Sequence, residues 1–281
     1  MPTIGLALGG GGARGLAHIR FLELLDELEI RPSVISACSM GAVIGALYAS
    51  GCSGREIRDL VEQHSLHRGG TLREAWHKLV VILQSVTRLL PETRRGGLVN
   101  IDRLLGHLLE PLAGKNFDEL DIPLVVVAAD FWDAEEVVFS EGEVLRAIRA
   151  SISIPGLFVP CKQDGRVLVD GGLVNELPYD HLVDRCDVTI AINVAGSRQP
   201  EERAMPSEFE ASAGAIDILQ ASLLTEKLKR KRPELLVCPE ICNIELLDFA
   251  KVDEIFEQCD ASLDQFRRDL KDLGLTTNPD D

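Results

Sequence analysis

Residues 124–129 read L-V-V-V-A-A, an apolar run with no polar side chain to turn toward water. A strand with one wet face alternates apolar and polar residues, so a run of this kind must be covered on both faces. Thr3–Leu8, Val34–Ala37, Val167–Val169 and Val188–Val194 are further strand-length runs, several of them equally dry. Segments of helical character lie between them. Ala17, Phe21, Leu24, Leu25 and Leu28 form a stripe at helical spacing, and Ala42–Ala49 is a small-residue helix able to pack closely on a sheet. Doubly covered strands alternating with helices predict a mostly parallel sheet with helices over it. In such sheets, sites form outside the carboxyl ends of the strands.

The chain is long enough, at 281 residues with 46% hydrophobic content, to bury one sizeable core. We expect a single domain over residues 1–275 and a flexible acidic tail over 276–281, with Gly196–Pro206 the other loose stretch and no internal repeat. A net charge of −16 argues against a general nucleic-acid binder, which needs clustered Lys and Arg against phosphates. The seven cysteines are odd in number, irregularly spaced and without C-x-x-C pairs, which suggests a reducing compartment and no zinc site. No leader-like N-terminus and no run of about 18 apolar residues stands out, so the expectation is a soluble cytoplasmic protein.

Three features fall on the expected carboxyl edge. The first is L-G-G-G-G-A-R-G over residues 8–15, which follows a strand and opens a helix, where backbone N–H groups and the helix dipole can hold an anion. Gly10, Gly12 and Gly15 also match a dinucleotide loop, G-x-G-x-x-G, but the acidic residue that should end the second strand is missing; that strand runs out in Ala37-Cys38-Ser39. The second is Ala37-Cys38-Ser39-Met40-Gly41, a serine between small residues at a strand-to-helix turn. Alanine at the first position resists φ > 0, so the turn must avoid that conformation at residue 37. Ser39 could equally be a plain helix N-cap. Cys38 is a rival nucleophile, but one side chain projects from such an apex and the small residues centre on Ser39, so Cys38 reads as packing. The third is V-L-V-D-G-G over 167–172, good turn chemistry by itself. In company with the other two, Asp170 becomes a base for a serine that needs one, and the glycines become donors for the oxyanion it creates.

With these residues the chain resembles the bacterial patatin-like phospholipases from about Ile4 to about Ala250. The resemblance also takes in I-P-L-V-V-V-A-A-D (122–130), V-L-R-A-I-R-A-S-I-S-I-P-G-L-F-V-P (144–160) and L-L-D-F (246–249). It implies a three-layer α/β/α fold and hydrolysis of acyl esters by a Ser-Asp dyad. Ser39 would attack, Asp170 would be the base, and backbone N–H groups around Gly10, Gly11 and Gly12 would form the oxyanion hole. Ala13, Arg14 and Gly15 complete that loop, with Arg14 ordering it; Gly171 and Gly172 form the turn after the base. Ala37 departs from the family's usual glycine.

His181 follows Ser39 and Asp170 in the order of a Ser-Asp-His triad, yet it stands in a segment resembling an exposed helix start. His18, His64, His67, His77 and His107 form no set of three metal ligands, so neither metal nor other cofactor is implied. The expected substrate is a phospholipid, lysophospholipid or other fatty ester. The alternatives are a non-enzymatic or regulatory member of the fold and an acyltransferase using the same serine. Within 65–97, Leu72, Trp76, Leu79, Leu83, Val86 and Leu90 recur at helical spacing, and six Lys or Arg face two acids. That stretch suggests a lid or docking surface for peripheral membrane contact, or else an ordinary surface helix.

Overall fold

The computed structural model describes residues 2–66, 106, 108–197, 199, 205 and 208–276. Residues 67–97 of the basic stretch lie outside them. Eight strands form one sheet among the described residues: β1 (Ile4–Leu8), β2 (Val34–Cys38), β3 (Leu124–Asp130), β4 (Glu136–Phe139), β5 (Cys161–Gln163), β6 (Arg166–Asp170), β7 (Val188–Ile192) and β8 (Leu235–Val237). Their order is β5-β6-β3-β2-β1-β7-β8, with β4 also on β3. The β3-β2-β1-β7-β8 block is parallel, while β4, β5 and β6 join antiparallel.

Alternation along the central strands divides the core in two. Leu6 and Leu8 of β1, with Ile190 and Ile192 of β7, enter the main cluster. It also holds Phe21 of α1 (His18–Glu27), Leu47 of α2 (Met40–Ala49), Ile57 of α3 (Gly54–Leu66), Ile148 of α4 (Val144–Ser151) and Phe266 of α7 (Val252–Asp272). Ala7 and Ala191 point the other way, into a cluster with Leu177, Tyr179 and Leu182, which follow α5 (Gly172–Asn175) and against which Leu224 and Leu228 of α6 (Glu208–Arg230) pack. Helices therefore cover both faces, which is why the strands could afford no polar side. α2 is buried all round; its glycines and alanines let it lie close on the sheet.

The registers on β3 decide where the site forms. Val126 pairs with Ala37 of β2 and with Phe139 of β4, and Ala128 pairs with Asp170 of β6 and with Val137 of β4. A strand has two edges, so β4 takes one and β2 and β6 share the other. They run toward each other along it. Cys38 ends β2 opposite Val127, and Asp170 ends β6 opposite Ala128, so the two carboxyl ends meet head to head. Within the mostly parallel sheet that the dry runs predict, β6 is antiparallel, and its Leu168 is buried with Ala128 and Ala150.

Candidate active site

Ser39 sits between β2 and α2 at φ 52 and ψ −125, a backbone conformation that costs a non-glycine residue about 1–3 kcal/mol. Ala37 lies in strand conformation inside β2, so the turn takes its positive φ at the serine and the missing glycine is not needed. The Ser39 hydroxyl caps no backbone N–H of α2. Instead Oγ donates to Asp170 Oδ2 at 2.7 Å, and the Ser39 N–H donates to Ser151 Oγ at 2.8 Å. The other oxygen of Asp170 accepts the Gly172 N–H at 2.8 Å. Burial pushes the Asp170 carboxyl up to about 6, against the two hydrogen bonds that favour its charged form. A Cβ at Gly171 would lie 2.3 Å from the Val127 carbonyl oxygen, so only glycine lets β6 end so tightly on β3.

The glycine loop lies against the serine. Gly10 N–H donates to the Glu176 carbonyl at 3.0 Å and Ala13 N–H to that of Leu246 at 2.8 Å. Among the described residues the N–H groups of Gly11 and Gly12 donate to no protein acceptor. Gly12 has φ 58, and a Cβ there would lie 2.3 Å from the Leu246 carbonyl oxygen. Arg14 is buried and folds back, its Nε donating to the Gly11 carbonyl at 3.2 Å and its guanidinium 3.6 Å from Asp217. Gly15 and Gly41 allow close approach: side chains there would strike Met40 and the Leu8 carbonyl. A small apolar pocket opens at Ser39 between Ile152, Ile154, Phe158, Leu246, Leu247 and Phe249. The larger groove between Arg20, Glu27 and Asp260 is lined by residues of α1 and α7 and contains none of these groups.

Cys38 is fully buried and burial pushes its thiol well up, which suits packing and not nucleophilic attack. His181 does not reach Asp170. It is part-buried, its Nε2 is 2.9 Å from Glu136 Oε1, and that contact raises its pKa. Glu136, Asp180 and His181 bring potential ligand atoms within 4.8 Å of one another. Lys227, which also reaches Asn175 Oδ1 and the Leu177 carbonyl, already supplies the positive charge at Asp180. Two contributors escaped the sequence reading. His18 Nε2 donates to the Gly9 carbonyl at 2.8 Å, and burial pushes the ring down to about 4, so it stays neutral. Its spacing to Phe21 and Leu25 put it on the buried stripe of α1. Ser151 left no signal beyond its place at the end of an apolar-periodic segment.

The model of the family described as patatin-like phospholipase matches residues 6–183, which hold the glycine loop, Ser39 and Asp170. The chain belongs to the patatin-like phospholipase family. An uncharacterized NTE family protein of Mycobacterium tuberculosis is 34% identical over 210 residues, covering 73% of this chain and 53% of that protein. Lysophospholipase NTE1 of Saccharomyces cerevisiae is 28% identical over 291 residues, covering 90% of this chain and 16% of that one. Among solved structures, VipD from Legionella pneumophila shares a TM-score of 0.48 at 15% identity, over 94% of this chain and 66% of that one. The chain thus spans about half the length of its mycobacterial relative and far less of the yeast one.

Proposed function

We propose that this patatin-like chain is a serine hydrolase of lipid or other fatty-acyl esters, with Ser39 as nucleophile and Asp170 as its base. The observation that carries the reading is the 2.7 Å hydrogen bond from Ser39 Oγ to a buried carboxylate, made at a strained turn beside an apolar pocket. Ser39 Oγ attacks the ester carbonyl carbon while its proton passes to Asp170. The resulting oxyanion lies at the N-terminal end of α2 and takes the N–H groups of Gly11 and Gly12. Gly10 is removed from the expected oxyanion hole, because its N–H already serves the Glu176 carbonyl. Collapse of the intermediate expels the alcohol with the proton from Asp170 and leaves the acyl group on Ser39. Water, giving its proton to Asp170, then releases the fatty acid.

The apolar lining at Ser39 suits an acyl chain, and because such chains partition into membranes we read the protein as meeting its substrate there peripherally. The seven cysteines are all unpaired, which fits a reducing, cytoplasmic setting. The decisive experiment is labelling of the purified protein with a fluorophosphonate, followed by mapping of the modified residue. Modification at Ser39, with Ser39→Ala losing all hydrolysis of p-nitrophenyl butyrate at a nearly unchanged Tm, is the expected result. Folded protein that resists the probe would instead favour a non-enzymatic member of the fold.

A further inference from the structure

Glu176 is a buried acid that the reaction above leaves unused. It is 8% exposed, and among the described residues no donor reaches its carboxylate. Its oxygens keep a little open surface. The position of this group is specific. A Cβ built on Gly10 would lie 3.3 Å from Ser39 Cβ and 3.5 Å from Glu176 Cγ, so serine and glutamate side chains flank the same glycine. The apolar pocket at Ser39 contains no Glu176 atom among its lining. Ser39 therefore has an apolar wall on one side, and the Glu176 side chain stands across Gly10 on another.

An ester divides at the atom Ser39 attacks, into an acyl half and an alcohol half. The apolar wall suits the first. A buried carboxylate without a donor is costly, and a hydroxyl that reaches it restores the lost hydrogen bond. We propose that Glu176 selects esters whose alcohol half carries a free hydroxyl beside the ester, the chemistry shared by monoacylglycerols and lysolipids. This rests on Ser39 being the nucleophile. Burial raises the Glu176 carboxyl to about 7, with Arg14 pulling it down and Asp170 and Asp217 pushing it up, so the carboxylate form prevails at pH 8. Arg14 does not neutralise it by contact; its guanidinium pairs with Asp217.

The test measures kcat/KM at pH 8 for glyceryl monooctanoate and for propyl octanoate, which has the same acyl chain and no hydroxyl. A charge-assisted hydrogen bond predicts a preference of about tenfold or more for the glyceride in the unmodified protein. The preference should fall severalfold in Glu176→Gln, which keeps shape and an acceptor, and to about one in Glu176→Leu. If the leucine variant does not fold, the glutamine variant decides. Decanoyl lysophosphatidylcholine and its 2-deoxy analogue, run in parallel, tell the lysolipid from the neutral glyceride by which hydroxylated substrate turns over faster. A preference near one in the unmodified protein, an undiminished preference in the variants, or turnover of none of the esters by protein that labels at Ser39 overturns the proposal. Turnover that survives Ser39→Ala would show a different failure, that of the nucleophile itself.

Discussion

At the scale of single residues, Asp170, as the proposed base, faces opposed demands. A base must bind a proton readily, yet the burial that raises its carboxyl from 3.8 to about 6 also disfavours the charged state the reaction starts from. Hydrolysis of p-nitrophenyl butyrate should therefore rise with pH through about 6 and level off above it; a flat profile from pH 5 to 8 would contradict the assignment. The same shift sets a stability term. Because the folded value lies above the unfolded one, the site is unpenalised below pH 3.8 and bears the full cost once pH exceeds about 6, about 3 kcal/mol as an upper figure. Asp170→Asn removes the charge and leaves a group able to accept from Gly172 and donate to Ser39. It should lower kcat by roughly a hundredfold or more. It should also raise Tm at pH 8, with the gain fading toward pH 4. A variant less stable than the parent at pH 8 would mean that hydrogen bonds to the carboxylate outweigh its desolvation. His181→Ala, by contrast, should leave kcat/KM within severalfold, since its ring engages Glu136.

At the scale of elements, the strands and helices around the motifs were legible because burial on both faces leaves an unmistakable pattern in 124–129 and 188–194. Ser39, Asp170 and the glycine loop were legible for a similar reason: each sits where crowding leaves few residue choices. The direction of β6 was not legible, since dryness reports coverage and says nothing of polarity along the sheet. Nor was the engagement of the Gly10 N–H, which depends on Glu176 arriving from a distant part of the chain. The head-to-head meeting of β2 and β6 depends on one residue. Gly171→Ala would set a methyl 2.3 Å from the Val127 carbonyl oxygen, and backbone cannot retreat as a flexible side chain can. Strain of this kind costs 1–3 kcal/mol or more, so the variant should melt several degrees lower and lose most hydrolysis as Asp170 moves away from Ser39. Retained activity with unchanged melting would mean that the strand end is more pliable than the register implies.

At the scale of the whole molecule, charge and substrate are at odds. A chain of net −16 is repelled by an anionic membrane, and yet the proposed substrates are lipids. One counterweight in the sequence is the six basic residues against two acids in 65–97, a local +4. Juxtaposed basic charges attract anionic headgroups by about 1 kcal/mol each near the surface, and the attraction decays within a Debye length, about 10 Å at 0.1 M salt. Three such charges are enough to change binding by orders of magnitude. We therefore expect catalytically silent Ser39→Ala protein to co-sediment with phosphatidylserine-containing vesicles at low salt, to release as salt rises, and to bind phosphatidylcholine vesicles far less. Replacing Arg73, Lys78 and Arg88 by Gln should abolish most of the low-salt binding while leaving Tm in place. Binding that ignores both salt and the three substitutions would move the membrane contact to another surface, and no binding at low salt would mean that this stretch gives the acidic molecule no electrostatic foothold.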